Sequence, residues 1–460
     1  MAGDFQFISI QVNGHVKDKT MQRRQARSHA VKKALARKRK EQQLSRTNFV
    51  VTTSEDLNLN RNCNLDHPVE IAKPCTHLSG SLDPFQALAV DSSRLQALLG
   101  DYRARQATEP VFSLAEELAF QSFHSVFRTG FHDPALMNAV MLALAFAVTG
   151  GSLDQECLRY QGQAITYIRE RMDSEDDAAS EATIGAILLI AGVVACLGLT
   201  SQVELHMGAV QQLLKICQRK RVYLTPGIKR AIFWQDLNSS LLANTRRIVN
   251  HTTFAALLWT RDAFVPNFYH LPSGFQCRSY ILNREFRAVL EDLHALQCIR
   301  NLPRPLPQPG ALGMLHINNH IASIQSRLMA LSGLSRSQEC CRLAAYLCSI
   351  TLCCKIWCEL VIPPHISSQL LFKIRELRDD DDDDDDIDAD LLVWLLYIGG
   401  AFSPIGPIRS GYLNLLLASS PDLSWPELHQ CMRQFIWSDE AFLVPVRALW
   451  WEVSQYHLQS

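Results

Sequence analysis

Apolar residues recur along most of this chain at the three-to-four spacing of a buried helix face. No run alternates with the period of two long enough to build a sheet. From about Asp91 onward the pattern predicts consecutive helices, over 113–127, 135–149, 153–172, 180–199 and 202–218. The acidic turn at Asp173 to Asp177 and the glycine at Gly198 punctuate them. Further helices are expected across 226–300, anchored by aromatics such as Phe233 and Trp234, and again across 311–361. The tail from Asp390 to Ser460 returns to apolar helical character with Trp394, Trp425, Trp437, Trp450 and Trp451. No fixed-period repeat is present. Consecutive helices joined by short turns predict an all-α fold, an array of antiparallel helix pairs.

Two stretches carry no formal charge: 134–153 over 20 residues and 182–203 over 22. Their length alone permits a membrane span. Each contains polar residues, among them Asn138, Thr183 and Gln202, and each runs into an amphipathic pattern. Neither has a flanking Lys/Arg cluster or paired aromatic belts. Buried core helices are therefore expected, with no membrane partner.

The ends of the chain behave differently. Phe5, Phe7, Ile8, Ile10 and Val12 form a short apolar stretch before an Asn13-Gly14 turn. Twelve Lys/Arg and two acids then fall between Lys17 and Arg46, a local charge of +10 in a chain whose formal charge is −1. This arm is rich in helix formers, but its like charges repel. It is expected to be disordered, or helical once an anion binds. Residues 47–82 are polar and read as a linker, and 83–460 as the helical domain. A proline-rich connection (301–310) and an acidic loop (379–390) interrupt that domain. With 47% apolar and 20% charged residues the chain is globular by composition, which excludes collagen and rod-like coiled coils. Fourteen cysteines in 460 residues and no apolar leader at Met1 to Asp18 suggest reduced thiols.

The basic arm carries the clearest chemistry. Arg23, Arg24, Arg27, Lys32, Lys33, Arg37, Lys38, Arg39 and Lys40 form a dense cluster with small spacers. Such a cluster serves nuclear import, and it can neutralise nucleic-acid phosphates with release of counterions. Stepping by seven beyond Lys40 gives Leu44 and Val51 and then the polar Asn58, so no zipper supports a sequence-reading basic helix. Cys340, Cys341, Cys348, Cys353, Cys354 and Cys358 suggest a metal site, but the pairs are adjacent where zinc sites space them by two or more. Buried core cysteines are the expectation there. The loose set Cys63, His67, Cys75 and His77 fits no zinc spacing, and His316 and His320 lack the glutamate of a zinc-protease helix. No nucleophile elbow or phosphate loop appears. No catalytic residue, metal or cofactor is assigned. The eight aspartates at Asp379 to Asp386 read as a solvated loop.

Four pieces of the chain resemble the large fungal group of transcription-factor-like proteins with the fungal-specific transcription factor helical domain. Phe5-Gln6-Phe7, followed by Arg27-Ser28-His29-Ala30 and Arg37-Lys38-Arg39, resembles its N-terminal preface. Asp83-Pro84-Phe85 with Leu98 to Tyr102 resembles the entry to its helical domain, and Tyr160 to Ile165 one of its helices. Thr183 to Leu199 with His206-Met207-Gly208 resembles its apolar helix and the turn of helix that follows, with Ala209 where the pattern has Gly. The likeness is clear over about 1–300 and looser beyond. It implies an all-helical regulatory domain, a nuclear setting, protein partners in the transcription machinery and a role in transcription. The zinc cluster that many members use to read DNA is missing here, which leaves the arm as the route to DNA. A protein-interaction scaffold with no DNA role is the alternative.

Overall fold

The computed structural model describes residues 83, 87–106, 130–261, 266–301, 311–352, 361–379, 387–419 and 423–457. All lie in the unit Leu78–Ser460. The described residues are helical or irregular, with no strand among them, so the fold is all-α. The expected helix at 113–127 and the proline-rich connection beyond Asn301 lie outside the described residues.

The first lobe contains α1 (Ser92–Gly100), α2 (Pro134–Val148), α3 (Gln155–Met172), α4 (Glu181–Cys196), α5 (Thr200–Lys220) and α6 (Pro226–Ala243). At its centre α4 packs on α2, α5 and α6. Every residue from Thr183 to Ala195 is buried, as an all-round apolar helix demands. Ser180 caps it by accepting from the Thr183 N–H, and Gly198, at φ +68°, turns the chain back into α5. In the same way Asp133 and Pro134 start α2, and Gly150 and Gly151, both at positive φ, follow its end. The two uncharged stretches are thus core helices. Among the described residues no helix is long and apolar enough to cross a membrane.

The second lobe contains α7 (Arg284–Arg300), α8 (Ala311–Ala330), α9 (Arg336–Thr351), α10 (Ile362–Asp379), α11 (Ala389–Ala401), α12 (Pro407–Ser419), α13 (Trp425–Met432) and α14 (Asp439–His457). Its core is built on α9 and α11. Trp394, Phe275 and Phe435 meet there with ring centroids 5.2–5.4 Å apart. Cys340, Cys341 and Cys348 are fully buried on α9 and act as small apolar residues, and burial pushes the thiols of Cys341 and Cys348 up. The acidic stretch 379–390 is helical at both described edges. The first aspartate of the run closes α10, and Asp388 caps α11 by accepting from the Leu391 N–H at 3.1 Å.

The lobes meet through α6 and α8. Trp234 and Leu242 on α6 and Met329 on α8 pack against both cores. α8 sends Ile321, Ile324 and Leu328 into one core and Ala322 into the other.

Close helix packing in the second lobe depends on glycine. A Cβ on Gly399 would sit 2.6 Å from Cζ of Tyr412. That ring is fully buried and fixed by its hydroxyl, which donates to the Ser367 carbonyl at 2.7 Å. Gly399→Ala should therefore lower stability by about 1–3 kcal/mol. Gly208→Ala, in the middle of α5 where a methyl meets open space, should raise it by about 0.5–1 kcal/mol. Urea unfolding followed by circular dichroism checks both.

Candidate functional site

Charged groups lie at the junction of the lobes, deep in the protein. Arg230 and Asp236 on α6, Asp292 on α7 and His320 on α8 are exposed by 3%, 0%, 2% and 1%. Ionisable side chains this deep require partners. Most of those partners lie on α8 or on residues 244–261, an irregular stretch that leaves α6 through Asn244 in the left-handed region (φ 52°). Asparagine tolerates that conformation better than most residues.

Arg230 Nη1 donates to Asn318 Oδ1 at 2.5 Å. Its Nη2 donates to Asn319 Oδ1 at 2.5 Å and to the Ala256 carbonyl at 2.7 Å. The Asn319 amide in turn donates to the carbonyls of Ala256 and Leu258 at 3.2 and 3.0 Å. Asp236 accepts from the backbone N–H of Ile248 and Val249 at 3.0 and 3.3 Å and from Arg247 Nε at 3.1 Å. Arg247 Nη1 reaches across to Ser326 Oγ on α8 at 2.9 Å. Asp292 pairs with Arg261 at 2.8 Å and with Arg327. Trp259 stacks on His320, centroids 4.0 Å apart with the planes 6° from parallel, and its indole N–H donates to His316 Nε2 at 3.2 Å.

Four guanidinium groups and three carboxylates, counting Glu291 on Arg261, thus form one polar seam. Burial pushes the carboxyls of Asp236 and Asp292 up, while the arginines facing them act in the opposite direction. Burial, with His316 and Arg327 adding to it, lowers His320 to about 3, so its ring is neutral. His251 is lowered by burial, then by Arg327 and Arg247. Arg230 Nε, Arg247 Nη2, His251 Nδ1 and His320 Nε2 are buried without a hydrogen-bond partner among the described residues. Ser326 Oγ receives two donors, Arg247 Nη1 and the His251 N–H, rather than a base. The arrangement orients and neutralises charge, and presents no paired nucleophile and base.

The nine cations assigned to import and nucleic-acid contact, Arg23 to Lys40, lie outside the described residues, as do Cys63, His67, Cys75, His77, Cys353, Cys354 and Cys358. Among the described residues no group of His, Cys, Asp or Glu could hold a metal ion. The seam itself escapes a reading for motifs. Its signal is subtle: single charges, at Arg230, Asp236 and Asp292, interrupt otherwise apolar helix faces. No family model, curated protein or solved structure matches this chain.

Removing the Asp236 carboxylate strands Arg247 and two backbone donors. Asp236→Ala should cost about 3–5 kcal/mol in urea unfolding, the cost of breaking a buried pair. His320 gives a pH effect of definite sign. Its folded pKa lies below the unfolded value of 6.5. Its contribution is therefore complete above that value and is lost as pH falls. Relative to His320→Phe, which keeps the ring stack, the parent should lose about 2 kcal/mol between about pH 6.5 and pH 5. Parallel denaturation curves at the two pH values measure the difference.

Proposed function

We propose that this protein regulates transcription by binding rather than by catalysis. The reading rests on one observation: twelve cations against two acids between Lys17 and Arg46, in a chain whose remainder carries −11. Charge of that density draws import receptors and phosphate backbones, and the contact with DNA is electrostatic and independent of base sequence. The nuclear protein then uses its helical body as the regulatory and interaction domain for proteins of the transcription machinery. The resemblance of the arm and of the helices up to about residue 300 to fungal transcription-factor-like proteins supports the same assignment.

The test maps chromatin occupancy of the tagged full-length protein beside a variant lacking residues 17–46 and carrying an unrelated import signal. Discrete peaks in the parent, lost from the variant, are the expected result. Peaks kept in both would assign recruitment to the helical body. No peaks in either would overturn the regulator reading in favour of a protein scaffold. In vitro, affinity of the full chain for duplex DNA should fall with salt, with a log–log slope no steeper than about −8 for the nine named cations.

A further inference from the structure

A second feature of the first lobe lies away from the seam. Between the end of α5, the turn that follows it and residues 253–254 the surface opens into a groove of about 550 Å³. That is the size of a small-molecule pocket. Leu214, Leu224 and Phe254 line it as apolar surface, and Tyr223, 74% exposed, stands at its side. Arg221 and Lys229 also line it, and none of its lining residues is acidic.

The two cations are placed against local preference. Arg221 sits at φ 55°, the left-handed conformation that closes α5. Glycine or asparagine favours that position, and an arginine there costs backbone energy. Lys229 lies at the start of α6, where the helix dipole disfavours a positive charge. The dipole at the end of α5 is already served by Arg219 and Lys220, both paired with Glu175. Arg221 and Lys229 have no carboxylate partner among the described residues. Lys229 instead lies 5.5 Å from the Tyr223 ring centroid. Apolar surface beside two uncompensated cations and a helix N-terminus is complementary to a molecule with an apolar body and a negative end.

We infer that this groove binds a small organic anion, a carboxylate or sulfonate on an aromatic or alkyl frame. Arg221 and Lys229 hold the charge, and Leu214, Leu224 and Phe254 bury the frame. The site goes beyond the regulator reading and does not depend on it, since none of its residues belongs to the basic arm.

Isothermal titration of the full chain with 1-naphthylacetate, and with its neutral analogue 1-naphthaleneethanol, tests the assignment. The anion should bind and the neutral analogue should bind more weakly. Arg221→Gly and Lys229→Met should each weaken the anion by about tenfold or more, the value of one charge-assisted hydrogen bond. Arg221→Gly relaxes the backbone as it removes the charge, so an unchanged or higher melting temperature separates lost binding from lost folding. Three outcomes would overturn the inference: no binding of the anion, equal binding of both probes, or unchanged binding by both variants. Failure of the chromatin test would leave every one of these outcomes unaffected.

Discussion

Residues 244–261 cross the junction of the two lobes with no helix longer than a single turn, and their backbone polar groups must still be satisfied. That need governs the junction. The N–H groups of Ile248 and Val249 are taken by Asp236, and the carbonyls of Ala256 and Leu258 by Arg230 and Asn319. Because those partners stand on α6 and α8, the stretch is satisfied only when both helices are docked. The same two helices carry Trp234, Leu242 and Met329, which touch both cores. Polar pairing and apolar packing therefore enforce one relative placement of α6 and α8. An apolar surface alone would leave sliding of the lobes less costly, since dispersion contacts have little direction and hydrogen bonds have much.

How legible this was in the sequence depends on where each element finds its partners. α2 and α4 were readable because their signals are local: an acid or serine cap, an unbroken apolar run, and glycines in the left-handed region beyond the end. Their boundaries moved by one to three residues from the expectation, the usual uncertainty of a helix end. The cysteines of α9 were readable as core because adjacent thiols on an apolar helix cannot converge on one ion. Residues 244–261 were not readable. Much of their order comes from Asp292, Asn319 and Ser326, which lie dozens of residues away along the chain. The composition of the stretch is mixed and its turns are unremarkable. Nor could the buried state of Arg230 or Asp292 be read, because a charge in a helix is usually on its solvated side. The arm, where most of the functional reading concentrates, was legible by charge alone, and its cations lie outside the described residues.

Buried charge follows one rule at the seam. The two buried carboxylates of the seam, Asp236 and Asp292, each face arginines. In the sequence, by contrast, charge is grouped by sign, with a local +10 between Lys17 and Arg46 and a run of eight aspartates. An exposed excess costs little because water and salt screen it, whereas a buried excess carries a desolvation cost. The groove at the end of α5 sits between these regimes. Lys229 is half-buried beside apolar surface, so its uncompensated charge is costlier than an equal charge fully in water.

The groove and the seam also share material. Thr253 and Phe254, which line the groove, belong to the same irregular stretch that Asp236 and Arg230 hold in place. An anion bound by Arg221 and Lys229 against Phe254 adds contacts to one end of that stretch, while its other contacts span the two lobes. Contacts that favour the docked conformation of 244–261 favour the docked lobes with it, because the backbone is satisfied only there. Coupling of this kind is reciprocal: whatever steadies the junction from the side of α8 must tighten the groove by the same free energy. Its magnitude is bounded by the difference in affinity between docked and undocked states, however tightly the anion binds. A small ligand on the first lobe thereby gains a physical route to the junction with the second.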